Sequence, residues 1–144
     1  LTKDQNQYLM FEESEFIEGG AINTFGAGID FEGKPMQPKN RYKIFGTNIN
    51  HLIENNILSI PNYIKIDVDG IESSIIKESN ALLSYENLYD VSVEINENDE
   101  GTCKIITNIM KEFGFSLKQK KHAAIFDHTQ HSSVFNFLFS RWNY

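Results

Sequence analysis

The stretch Tyr63-Ile64-Lys65-Ile66-Asp67-Val68-Asp69-Gly70-Ile71-Glu72 decides the fold. Ile64, Ile66 and Val68 alternate with Tyr63, Lys65 and Asp67, which predicts an inner strand with one apolar face and one face loaded with chemistry. Past Gly70, the residues Ile71, Ile75, Ile76, Ser79, Leu82 and Leu83 fall on one side of a helix of about 14 residues. A strand followed directly by a helix is the repeating unit of an α/β sheet.

The same unit recurs on both sides of this stretch. Upstream, Tyr42-Lys43-Ile44-Phe45 reads as a short strand, and Ile49, Leu52, Ile53 and Ile57 have helical spacing behind Thr47 or Asn48 as N-cap, with Pro61 as the stop. Downstream, Asp90-Val91-Ser92-Val93-Glu94-Ile95 is a second core strand. Asn98 or Asp99 then caps a helix bearing Cys103, Ile106, Ile109, Met110 and Phe113, which Gly114 ends where a left-handed cap is easiest. Phe115 to Lys121 and Val134 to Arg141 follow as two strands without a helix between them, and so form an antiparallel hairpin. The expected fold is therefore α/β and doubly wound, with a mixed sheet and an antiparallel C-terminal hairpin, in a single domain over 1–144 whose ordered core spans 42–141. Residues 12–41, punctuated by Gly19, Gly20, Gly26, Gly28, Gly33, Pro35 and Pro38, read as an irregular segment, either a functional loop or disorder.

Composition narrows the function classes. The chain has 144 residues, 40% of them hydrophobic, which suffices for one packed core. Its formal charge is −7 and its most basic run is Lys118 to Lys121, so no nucleic-acid partner is expected. A lone cysteine, Cys103, with neither a signal-peptide pattern nor a long apolar run, points to a cytoplasmic chain without a membrane partner. The chain opens at Leu1 without an initiator methionine, as a fragment or a trimmed or processed chain would.

Ligands of open α/β sheets bind beyond the carboxyl ends of the parallel strands. Asp67, Asp69 and Glu72 follow one such strand and Glu94 ends the next, so four carboxylates crowd one sheet edge and repel unless a cation, a proton or a hydrogen-bonding ligand is present. Asp69 and Glu72 also suit a plain structural role, as the cap and first turn of the following helix. Asp67 and Glu94 interrupt otherwise apolar strands and are the stronger functional candidates, with Lys65 on the face of Asp67 as an ion-pair partner or a substrate contact.

Ile64 to Glu72, the amphipathic helix ending Ala81-Leu82-Leu83, then Val93-Glu94-Ile95 and a helix ending Phe113-Gly114-Phe115 resemble, in this order, the C-terminal half of FkbM-type methyltransferases, over roughly residues 42–141. The resemblance implies a Rossmann-like fold, S-adenosylmethionine as cofactor, and transfer of its methyl group to a hydroxyl of a saccharide or other small-molecule acceptor. It implies that Asp67 orients or deprotonates the acceptor, with Glu94 beside it and Asp69 and Glu72 toward the cofactor; no metal is implied. Two departures stand out: Asn50-His51 occupies the place of the family's acidic residue, and the glycine-rich cofactor loop has no counterpart, since Gly26-Ala27-Gly28 lacks a preceding strand and a following helix. The resemblance thus implies that the N-terminal cofactor-binding portion is missing. Activity of this chain alone is then doubtful, and homo-oligomer formation through the exposed sheet edge is expected.

Other readings stay open. Asp67-Val68-Asp69-Gly70 alone resembles the start of haloacid-dehalogenase phosphatases, or a metal-binding Asp-x-Asp of a nucleotide-sugar glycosyltransferase, although Ile71 stands where the phosphatases carry a hydroxyl residue. A non-catalytic, self-associating fragment is the third reading. His122, His128 and His131 lie in a polar loop and read as solvated, and Phe135, Phe137 and Phe139 alternate as sheet core.

Overall fold

A computed structural model describes residues 7–13, 23–25, 35, 37–68, 70–122, 124–129 and 131–142. Three strands come first: β1 (Gln7–Glu13), β2 (Asn23–Phe25) and β3 (Asn40–Gly46). They form an antiparallel sheet in the order β2-β1-β3. β1 and β3 pair over their full length, from Gln7 opposite Gly46 to Glu13 opposite Asn40. Cross-strand side chains hold them together, with Tyr8 edge-on to Phe45 at 5.6 Å, Phe11 against Tyr42 at 5.2 Å and an Arg41–Glu12 ion pair at 2.9 Å. β2, the end of β1 and the start of β3 lie where the sequence predicts only an irregular segment over 12–41. Closely spaced glycines and prolines mask strands this short, whose pairing is set by backbone partners far away in sequence.

The second unit is a mixed α/β arrangement that departs from the expectation in three ways. Tyr42-Lys43-Ile44-Phe45 lies in β3 of the first sheet and not at the head of this one, and the strand at Tyr63 is, among the described residues, an edge strand and not an inner one. The described helices pack on one sheet face, so the sheet is not doubly wound. α1 (Ile49–Glu54) starts at Asn48, whose side chain accepts from the backbone of His51 at 2.9 Å. β4 (Tyr63–Ile66) then leads to α2 (Glu72–Lys77) and α3 (Asn80–Leu83), β5 (Asp90–Asn96), α4 (Glu100–Glu112), β6 (Ser116–Lys121), a single 3₁₀ turn at Ala124–Phe126, and β7 (Val134–Ser140). The strand order is β4-β5-β7-β6, with β4 and β5 parallel and β7 antiparallel to both of its neighbours. The sheet is therefore mixed and contains the antiparallel hairpin.

Two local devices shape the helices. The single helix predicted from Ile71 is split, because Ser79 turns its hydroxyl back onto the Ile75 carbonyl at 2.6 Å and begins a new turn at Asn80. α4 is bounded more cleanly. Asp99 accepts from the Thr102 amide at 3.0 Å, and Gly114 takes φ +82° so that its own N–H reaches Lys111 and that of Phe115 reaches Met110.

Strand alternation sorts the sheet into two faces. Ile64, Ile66, Val91, Val93, Ile95, Phe135, Phe137 and Phe139 share one face and pack with Ile75 and Ile76 of α2, Leu82 and Leu83 of α3, and Ile106 and Met110 of α4. α2 and α4 lie against each other over this core. The opposite face carries Lys65, Asp67, Ser92, Glu94 and Asn136. Among the described residues no helix is long and apolar enough to cross a membrane.

Candidate functional site

The parallel register between β4 and β5 sets Lys65 opposite Ser92 and Ile66 opposite Val93. One step further brings Asp67 level with Glu94, and the antiparallel register of β7 sets Asn136 on the far side of Glu94. Asp67, Glu94 and Asn136 thus form a row across three strands on the polar face, at the carboxyl ends of the two parallel strands. Lys65 lies two residues before Asp67 on the same face and binds it at 2.5 Å. Glu72 joins from the first turn of α2. It is 8% exposed, and its carboxylate accepts from the Gly70 amide at 3.3 Å.

Electrostatics distinguish the two acids of the row. Asp67's hydrogen bond holds the Lys65 ammonium above its ordinary range. Glu94 is pushed from 4.5 up to about 7, first by burial, then by the charge of Asp67 and a hydrogen bond shared with it, and then by Glu72, with Lys65 pulling the other way. Asp67 is ion-paired with Lys65, and Glu94 is the carboxyl placed to take up or release a proton near neutrality. Beside them, the buried Oδ1 of Asn136 finds no hydrogen-bond donor among the described residues, so the row offers an acceptor to a ligand.

The structure therefore brings together Lys65, Asp67, Glu72 and Glu94, as predicted from sequence. Asp69 lies outside the described residues, as does Gly26-Ala27-Gly28. Asn136 is missed by sequence reading. The signal is there, since an amide interrupts Phe135-Asn136-Phe137 on the opposite side of the strand, but placing it beside Glu94 needs the β5–β7 register. Asn50, in the place of the resembled family's acidic residue, ties α1 to the end of α2 through the Glu78 carbonyl at 2.7 Å.

The loop histidines part ways. His122 is half-buried rather than solvated, bonded through Nδ1 to the Val134 carbonyl at 2.8 Å with Nε2 3.0 Å from Asp127, whereas His128 is exposed. Among the described residues no group of three or more His, Cys, Asp or Glu side chains converges to hold a metal ion.

A cavity of about 310 Å³ adjoins the row. Its lining runs through five consecutive residues, Ile64 to Val68, whose side chains alternate between the two faces, so the cavity follows the outer edge of β4. The rest of its wall is largely aliphatic and comes from α1, from α2 and α3 with Ser79 between them, from Pro61 and from Val91 of β5. No protein-family model, no curated protein and no solved structure matches the chain.

Proposed function

We propose that this chain carries the acceptor side of an S-adenosylmethionine-dependent O-methyltransferase with a Rossmann-like fold, acting on a hydroxyl of a saccharide or other small molecule. The observation that carries the reading is the row Asp67–Glu94–Asn136 with Lys65 beside it, at the carboxyl ends of adjacent parallel strands. The FkbM-type resemblance of residues 42–141 supports the reaction class, and the donor set fits the cofactor in sign. Asp67, Glu72 and Glu94 repel one another, and a sulfonium or ammonium group would relieve that repulsion.

The bound cofactor supplies an electrophilic methyl group. Asp67, held by Lys65, accepts a hydrogen bond from the acceptor hydroxyl and orients its oxygen. Glu94 in its ionised form takes the hydroxyl proton as the oxygen attacks, a task suited to a carboxyl poised near 7. Asn136 is then the acceptor of a hydrogen bond from protonated Glu94 or from the substrate.

Isothermal titration with S-adenosylmethionine and S-adenosylhomocysteine tests the reading before any acceptor is known. Saturable binding that Glu94→Gln retains and Asp67→Lys weakens supports it, because the second change puts a like charge into the carboxylate row that a sulfonium would approach. Absence of binding by a folded sample would overturn methyl transfer by this chain alone and leave it the acceptor-side part only.

A further inference from the structure

β4 is the last strand of its sheet, and among the described residues it is paired only on the β5 side. Its outer edge offers backbone donors and acceptors to another strand, and the cavity along it offers an apolar wall. Ile57, Leu58 and Tyr63, at the end of the chain leading into this strand, are exposed as well.

The side chains of this edge are complementary to themselves. A two-fold axis perpendicular to the sheet pairs two copies of β4 antiparallel and keeps the apolar faces of both on the same side, so even-numbered residues must oppose even-numbered ones. Two central registers satisfy this. Centring on Lys65 opposes the two Lys65 ammonium groups and is repulsive. Centring on Ile66, with the pairing carried through Asp67 and Val68 just past the end of β4, sets Ile66 against itself and Ile64 against Val68 on the cavity side, and Lys65 against Asp67 twice on the polar side. With the Lys65–Asp67 pair already formed within each strand, the four charges alternate in sign around a square.

We infer that the β4 edge is a homodimer interface in which two copies pair antiparallel about Ile66, joining their sheets and placing Lys65 of each copy beside Asp67 of the other. The four-residue edge of β4 and the two residues after it fall short by themselves of the roughly 1,000 Å² that a stable interface needs. The cavity walls along the same edge and Tyr63, exposed at the start of β4, supply further apolar area. The interface does not depend on methyl transfer, because its readout is association.

Sedimentation equilibrium of the full chain tests it with charge reversals at two half-exposed positions, with folding checked by circular dichroism. The wild type is expected to be a dimer. Lys65→Glu and Asp67→Lys each set like charges in opposition and weaken the dimer by about tenfold or more, and the double variant restores it. A wild type that stays monomeric at all concentrations overturns the inference. So does a dimer that both single reversals leave intact, which would assign association to another surface such as the exposed aromatics of the first sheet.

Discussion

Phe137 and Phe45 are both strand phenylalanines, yet Phe137 is 1% exposed and Phe45 is 57% exposed. The difference extends to their sheets. Each buried hydrophobic residue of the core cluster comes from the span Ile53 to Phe139, and the described strands β1 and β3 contribute none. The first sheet is held by its ladder and by cross-strand contacts such as Tyr8 with Phe45, whereas the second is held by side chains removed from water between sheet and helices. A small sheet with little buried area is marginal alone. Stability should therefore reside in the second unit, and mutations can establish whether it does.

The largest contrast is expected between these two phenylalanines. Phe137→Ala leaves a cavity in a packed core and should cost about 3–5 kcal/mol, while Phe45→Ala loses an exposed edge-to-face contact and should cost less than about 1 kcal/mol. Urea unfolding followed by Trp142 checks this, because the chain's one tryptophan packs edge-on to Tyr89 in the second unit. Equal costs would mean that Phe45 is covered and that the two sheets share one core.

Two arginines give the next contrast. Arg141 donates to the carbonyls of Leu83, Tyr85, Leu88 and Phe113 and lies 4.3 Å over the Phe115 ring, so one planar fork ties the ends of α3 and α4 to the end of β7. Arg141→Ala should cost about 2–3 kcal/mol by stranding those acceptors. Arg141→Lys should recover little, since an ammonium cannot reach them together. Arg41 pairs with Glu12 and its own side chain is solvent-exposed, so Arg41→Ala should cost no more than about 0.5 kcal/mol of stability.

The same division explains what could be read in the sequence. β4, β5, α4 and β7 are legible because burial imposes a period on them, as in Val91, Val93 and Ile95 or Ile106 and Met110, whereas β6 is exposed along its length and is read from the helix stop at Gly114 and the turn to β7. β1 and β3 contribute no residue to the core, and Gly and Pro dominate the reading between them. Within the site, Lys65 and Asp67 are placed on one face by their spacing alone. The adjacency of Asp67, Glu94 and Asn136 depends on two strand registers, one parallel and one antiparallel, which no local pattern encodes. The same holds for Arg141, whose acceptors lie 28 to 58 residues away.

Acid gives the smallest effect and assigns pH dependence to one region. Asp99 at the N-cap of α4 is held below its ordinary 3.8 by hydrogen bonds from Thr102, so its contribution is present above that value and is lost as pH falls through its folded one. Asp99→Ala should cost about 1 kcal/mol at neutral pH and converge on the wild type in acid. Glu94 has the opposite sign. Its folded value of about 7 exceeds its ordinary 4.5, so the folded state binds the proton more tightly, stability falls as pH rises from 4.5 to about 7, and the loss persists above. Glu94→Gln should remove that slope and leave the variant relatively more stable at alkaline pH than in acid. Arg41→Ala, in the first sheet, should retain both pH trends of the wild type. Urea midpoints across this range, monitored by Trp142, check all three, and a Glu94→Gln curve parallel to the wild type would show that the carboxyl row does not hold a proton near neutrality.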